Sequence, residues 1–292
     1  MRSPRRSVAD HPPRTDTVPT VALRGAGLSY SARKLWQDVD LDVTPGEFVA
    51  VLGPNGSGKT SLVKVLLGLT KLTSGSVEIC GAPPRRGSDR IGYVPQQKGF
   101  DRDLPIQGVD LVRLGLDGHR WGFGWPNARR RQRVDAAVAA VGATAFAHTP
   151  VGRLSGGEQQ RLRVAQALLG DPRLLLCDEA LLSLDLKHQR EVVELIDRQR
   201  RASDVSVLFV THEINPLLPF VDRVLYLVGQ RWMIGTPDEV LTSSTLSKLY
   251  QTDVEVFRVG GRVVIVGAPD AAHAEVGSGG YHHLGDREDR SA

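Results

Sequence analysis

One stretch of the sequence constrains the fold more than any other. Gly53-Pro54-Asn55-Gly56-Ser57-Gly58-Lys59-Thr60 follows the apolar run Glu47-Phe48-Val49-Ala50-Val51-Leu52 and opens a segment with Leu62, Val63, Val65, Leu66 and Leu69 at helical spacing. The eight residues fit G-x-x-x-x-G-K-[ST] in full, in the strand–loop–helix setting that gives the pattern its meaning. Glycines let successive backbone N–H groups curl around phosphate oxygens, and the start of the helix adds the positive end of its dipole. Lys59 is placed to reach β- and γ-phosphates, the Thr60 hydroxyl to ligate Mg²⁺, and Ser61 continues the same turn. The chain therefore binds a nucleoside triphosphate, and its fold is built around a strand whose carboxyl end meets a helix.

The rest of the chain agrees with an α/β architecture. Arg173-Leu174-Leu175-Leu176-Cys177 and Val205-Ser206-Val207-Leu208-Phe209-Val210 are two more short, nearly continuous apolar runs, as expected of parallel strands covered on both faces. Residues 97–165 read as a mostly helical insert, with a Trp121-to-Trp125 loop and an Arg-rich helix start at Arg129-Arg130-Arg131. Near the end, Gly260-Gly261 separates two β-branched runs, a strong signal for a tight hairpin because both central residues need positive φ. The expected division is a tail over 1–20, a nucleotide-binding domain over 21–252, a β-hairpin appendage over 253–268 and a second tail over 269–292.

Charge narrows the partners. Four arginines against Asp10 and Asp16 leave residues 1–20 at +2, and residues 269–292 carry −3, so of the formal +4 the body holds +5. That is a mild excess, without the concentrated basic stripe and interleaved aromatics of a nucleic-acid groove. The run at Arg129–Arg133 reads as a solvated helix face. The two cysteines, Cys80 and Cys177, lack metal-ligand spacing and are too few for a disulfide framework. No apolar run approaches the roughly 20 residues of a membrane span, and no secretory leader is apparent, so a soluble chain of a reducing compartment is expected.

A second acidic landmark follows. Leu174-Leu175-Leu176-Cys177-Asp178-Glu179 is an apolar strand ending in two carboxylates. Asp178 suits Mg²⁺, directly or through water, and Glu179 suits polarisation of the water that attacks a γ-phosphate.

Leu154-Ser155-Gly156-Gly157-Glu158-Gln159, 95 residues beyond Lys59, is similar to the signature of the ATP-binding subunits of ABC (ATP-binding cassette) transporters. Further marks of that family fall in order: Tyr30, Gln96 in Tyr93-Val94-Pro95-Gln96-Gln97, Ser183-Leu184-Asp185, and Thr211-His212-Glu213. The resemblance covers roughly residues 21–230. It implies a P-loop NTPase cassette with a mostly parallel core sheet, an N-terminal antiparallel β part and a helical subdomain. It further implies that Tyr30 stacks on adenine, that Gln96 contacts Mg²⁺ and couples to a membrane partner, and that His212 contacts the γ-phosphate. Ser155 to Gln159 are then expected to contact the ATP of a partner subunit, with Asp185 in the aspartate loop, so that two ATP molecules hold two cassettes head to tail. Ala180 stands where the family usually has proline, and Gln97 leaves a one-residue ambiguity that the preceding Pro95 resolves toward Gln96.

With one phosphate loop, one signature and no room for a long coiled coil between them, the resemblance points away from translation factors and DNA-maintenance members. It implies a peripheral ATPase at the cytoplasmic face of the plasma membrane, working with a multi-span permease and an extracytoplasmic substrate-binding protein, and with no nucleic acid. The similarity is greatest to manganese and zinc importers. Siderophore-iron or cobalamin importers and exporters remain as alternatives. Two features stay open: Trp121 and Trp125 suit either a partner groove or burial against the Arg-rich helix, and His273, His282 and His283 suit either metal sensing or an inert tail.

Overall fold

A computed structural model describes residues 18–31, 33–96, 99–117, 128–182 and 184–267. Gln97, Ser183, the Trp121–Trp125 loop, the three tail histidines and most of both expected tails lie outside the described residues.

The chain runs through β1 (Val21–Tyr30), β2 (Arg33–Val43), β3 (Phe48–Leu52), α1 (Lys59–Leu66), β4 (Ser74–Ile79) and β5 (Ile91–Val94). It continues through α2 (Gly108–Asp117), α3 (Ala128–Ala140), α4 (Gly156–Leu168), β6 (Leu174–Asp178), α5 (Leu186–Ser203), β7 (Ser206–Val210), β8 (Arg223–Val228) and β9 (Arg231–Gly235). Two short helices, α6 (Pro237–Val240) and α7 (Ser243–Tyr250), lead to the hairpin strands β10 (Glu255–Val259) and β11 (Arg262–Val266).

The central sheet has the order β5-β6-β7-β3-β8-β9, parallel except for the antiparallel edge strand β9. Its strands are apolar on both faces because both faces are covered. Val49, Val51, Leu174, Leu176, Leu208 and Val210 point to one side, where they meet α1 and the antiparallel sheet β2-β1-β4. Phe48, Ala50, Leu175, Cys177, Val207 and Phe209 point to the other, where they meet α4, α5 and the hairpin. The period-2 alternation along each strand thus divides two cores. The helices α2, α3 and the start of α4 fall within the expected helical insert. Among the described residues, no helix is long and apolar enough to cross a membrane.

Three sequence expectations shift. Thr20, expected in the tail over 1–20, belongs to the folded body: it is buried, donates its N–H to Val43 O (2.7 Å) and meets the Ser206 hydroxyl at 2.8 Å. Leu69 does not sit on the apolar face of α1: the helix stops at Leu66, Gly68 takes φ 69°, and Leu69 is exposed. A left-handed glycine after the last turn is a helix stop. The hairpin forms at Gly260 and Gly261, with φ of 58° and 78°, but it is seated on the core through buried Val254 and Val263.

Candidate active site

Strand order builds the site. Neighbouring strands β5, β6, β7 and β3 all run the same way, so their carboxyl ends share one edge of the sheet. Gln96 follows β5, Asp178 ends β6 with Glu179 next, Thr211 and His212 follow β7, and Gly53 follows β3. Residues as far apart in sequence as Gly53 and His212 are thereby set side by side. In open α/β sheets this edge is where ligands bind.

The phosphate loop requires its glycines. A Cβ on Gly53, which has φ 146°, would run into the backbone carbonyl of Leu227 on β8. Gly58 caps α1 with φ 96° and ψ 12°, and a Cβ there would lie 2.7 Å from Trp36 Nε1. Trp36, 1% exposed on β2, is therefore the floor of the loop. Arg33 adds a strap by donating from Nη2 to Gly56 O at 3.2 Å. Lys59 is buried and donates from Nζ to Gly53 O (2.6 Å) and Pro54 O (3.0 Å), so its ammonium is drawn over the loop's own carbonyls. Pro54 is half-buried, Asn55, Gly56 and Thr60 are exposed, Ser61 is half-buried, and the buried Ser57 Oγ has no hydrogen-bond partner among the described residues.

The acidic end of β6 divides into two environments. Asp178 is buried, and its Oδ1 has no hydrogen-bond partner among the described residues. Burial first, and the charge of Glu179 second, push its carboxyl above the ordinary aspartate value, against the opposing pull of Lys59 and Lys64. A buried carboxylate oxygen without a donor, beside the phosphate loop, fits a divalent cation or its water. Glu179 is more accessible and sits in a left-handed backbone conformation, φ 47°, with its N–H donated to Val210 O at 2.9 Å. Such a backbone is costly for a side-chain-bearing residue and recurs at functional sites. Gln96 donates from Nε2 to Glu179 Oε2 at 2.9 Å, and His212 Nδ1 lies 3.8 Å from Glu179 Oε1. Three residues expected to act together, Gln96, Glu179 and His212, are in one cluster.

The signature segment forms a capped helix start. Ser155 is the N-cap of α4: its Oγ accepts from the Glu158 N–H (3.4 Å), while its own N–H and hydroxyl donate to Glu158 Oε2 (2.8 and 2.7 Å). This reciprocal capping box leaves Ser155 exposed and Gly156 half-buried at the helix tip. Gly157 is buried against His188, which would lie 2.7 Å from an added Cβ. Gln159 faces inward, contrary to its expected place beside a partner's ATP. It is 5% exposed and donates to Val151 O (2.9 Å) and Leu154 O (3.0 Å), fastening the turn before the helix. One helical turn separates Gln159 from the fully buried Leu162, which is the sequence signal for that inward face.

Asp185 caps α5, accepting from the His188 N–H at 2.9 Å, and that bond holds its carboxyl below the ordinary range. Tyr30 ends β1 with an exposed ring. The sequence reading missed Trp36 and Arg33. Both act through a contact between β2 and the loop that no local pattern announces.

The model of the family described as ABC transporter matches residues 36–182, a span that holds the phosphate loop, Gln96, the signature and the Asp178–Glu179 pair. The chain belongs to the ABC transporter family. It is an ATP-hydrolysing cassette of that family, and the fold is the ABC cassette. The zinc import ATP-binding protein ZnuC of Roseobacter denitrificans is 34% identical over 232 residues, covering 80% of this chain and 84% of that protein. A transporter described as of the metal-chelate ABC type, solved in an inward-facing conformation, has a cassette that superposes with a TM-score of 0.71. It is 27% identical and covers 85% of this chain and 96% of its own. A third protein, an ATP-binding cassette solved as a dimer after hydrolysis with ADP and phosphate, gives a TM-score of 0.59 at 28% identity, over 73% of this chain and 97% of its own.

Proposed function

We propose that this ATPase is the energy-supplying subunit of a membrane importer for zinc. The observation that carries the hydrolytic half is the cluster of Gln96 and His212 around Glu179, one strand end away from the phosphate loop. The observation that supports the cargo is the likeness to a zinc import protein along most of both chains.

The chemistry follows from the residues. Backbone N–H groups of Gly56 to Thr60 and the Lys59 ammonium bind the β- and γ-phosphates, and the exposed Tyr30 ring offers its face to adenine. Thr60 and Asp178, with Gln96 nearby, are the residues to hold Mg²⁺, whose contribution there is to neutralise charge on the β- and γ-phosphate oxygens. Glu179 orients the attacking water and accepts its proton as the new P–O bond forms and the bond to the β-phosphate oxygen breaks, releasing ADP and phosphate. Gln96 holds the Glu179 carboxylate in place, and His212 faces the departing phosphate.

Ser155 and Gly156, at the capped tip of α4, serve the ATP of a second copy in a head-to-tail homodimer, with Asp185 at the same contact. The tilt of that dimer between ATP-bound and open states drives a multi-span permease at the cytoplasmic face of the plasma membrane, supplied by an extracytoplasmic binding protein. The structural units of the cycle are the cassette over 21–252 and the hairpin over 253–268. Cells lacking the chain are expected to hold less zinc under zinc limitation, measured by elemental mass spectrometry. Wild-type protein restores zinc and Lys59→Ala does not. Restoration by the Lys59→Ala variant would overturn the energy-supplying role, and a deficit confined to manganese, cobalt or iron would overturn the cargo reading.

A further inference from the structure

The C-terminal hairpin is hooked to the cassette by side chains that bind its backbone, and one hook reaches the loop of His212. Asn215 donates from Nδ2 to Val263 O (3.0 Å) and accepts on Oδ1 from the Val263 N–H (2.8 Å). A single amide thus satisfies both backbone groups of one β11 residue, as a third strand would.

The other end of that loop is fixed too. The Thr211 N–H donates to Val51 O on β3 (3.1 Å), and its hydroxyl accepts from the Glu213 N–H (3.0 Å). Ile214 is buried between these two points. His212 lies within a short bridge held at Thr211 by the central sheet and at Asn215 by β11. Its own side chain is 52% exposed and, among the described residues, its polar contact is the 3.8 Å approach to Glu179. Packing around the ring therefore does little to fix it; the backbone on either side must.

The anchor at β11 is itself secured. Val263 is 4% exposed, Ser247 Oγ exchanges bonds with the Val254 N–H and carbonyl (3.0 and 3.1 Å), and Ser243 Oγ accepts from the Val256 N–H at 2.9 Å. The hairpin is thus tied to α7 as well as to Asn215.

We propose that Asn215 is a positioning residue for hydrolysis: it ties β11 to the loop of His212, so that the hairpin braces the histidine over Glu179. The inference rests on the ATPase reading and adds a role for a segment beyond the nucleotide-binding motifs. Reacting groups must be held to within a fraction of an ångström, and small misplacements lower turnover without touching the remainder of the site. Nucleotide affinity, set by the phosphate loop after the neighbouring strand β3, whose residues Asn215 does not hold, stays nearly the same.

Steady-state ATP hydrolysis by the full chain tests this. Asn215→Ala is expected to lower kcat by about threefold to tenfold, the scale of one or two lost neutral hydrogen bonds, with KM for ATP within about twofold of wild type, as expected when ground-state binding is untouched. In a His212→Ala background the same substitution is expected to add nothing, since the group it positions is gone. Asn215→Asp, which keeps an acceptor for the Val263 N–H but sets a second carboxylate oxygen against the Val263 carbonyl, should lose at least as much as Asn215→Ala. Val263→Pro, which removes that N–H while leaving Asn215 in place, should also lower kcat. A wild-type kcat in Asn215→Ala, or a loss that multiplies with His212→Ala, overturns the brace. A wild-type chain that hydrolyses no ATP overturns the ATPase reading first, and is told apart by that.

Discussion

Gly58→Ala tests how the phosphate loop is made. Gly58 lies at φ 96°, where an L side chain is strained by about 1–2 kcal/mol. Its new methyl would meet Trp36 Nε1 at 2.7 Å and Cδ1 at 2.8 Å. Trp36 is 1% exposed and cannot swing into solvent, so the loop or the indole must shift within a packed core, at about 1–3 kcal/mol. A more restricted unfolded chain returns roughly 0.4–1 kcal/mol. The net loss is about 2–4 kcal/mol, which for a chain of this size lowers Tm by roughly 5–15 °C. The assay is thermal unfolding with and without Mg²⁺-ATP. Wild-type protein gains about 2.7 kcal/mol from ATP at a hundred times its Kd, and the variant is expected to lose most of that gain because the displaced N–H groups no longer converge. Adding Trp36→Phe to Gly58→Ala should recover part of the stability, since it trims the obstructing Nε1. A Gly58→Ala protein that melts within a degree or two of wild type and keeps its ATP-induced shift would refute the reasoning.

Two further outcomes follow from the acidic strand end. Asp178→Asn should stabilise the nucleotide-free chain by on the order of 1 kcal/mol at neutral pH, the gap between burying a charged and a neutral oxygen without a partner, while abolishing Mg²⁺-dependent hydrolysis. Because the folded carboxyl titrates above its unfolded value, ionisation opposes folding at neutral pH, and the advantage of Asn should shrink as pH falls through the raised value toward the ordinary carboxylate range; melts across that pH range check it. Burial pushes the Cys177 thiol far above its usual range, so a thiol-alkylating reagent at mildly alkaline pH should modify Cys80 alone in native protein and both cysteines in denaturant. Equal labelling in native protein would contradict the packing of β6.

Much of the fold and site was legible because the signals are local. The loop pattern, the apolar strands before it and before Asp178, and the Gly260-Gly261 turn each depend on residues within a few positions. The capping box of Ser155 and Glu158 is equally local, although only the structure revealed it. Leu69 was misread although its correction was also local, since Gly68 carries the stop. What the sequence could not convey are contacts made only after the sheet is assembled. Trp36 under Gly58, Arg33 on Gly56 and Asn215 on Val263 join segments that no pattern relates. Gln159 illustrates a different limit. Motif membership says which residues travel together, whereas helical phase decides that Ser155 faces out and Gln159 faces in.

In the proposed mechanism Glu179, steadied by Gln96 and His212, activates water against ATP held by the Gly53–Thr60 loop. The most direct measurement is single-turnover ATP hydrolysis by Glu179→Gln beside wild type, with ATP affinity of both from calorimetry. Hydrolysis is expected to fall by at least about 10²-fold, the scale of losing a general base, while ATP affinity stays within a few-fold and the ATP-bound chains accumulate as a dimer by light scattering. Near-normal hydrolysis in Glu179→Gln would contradict this mechanism.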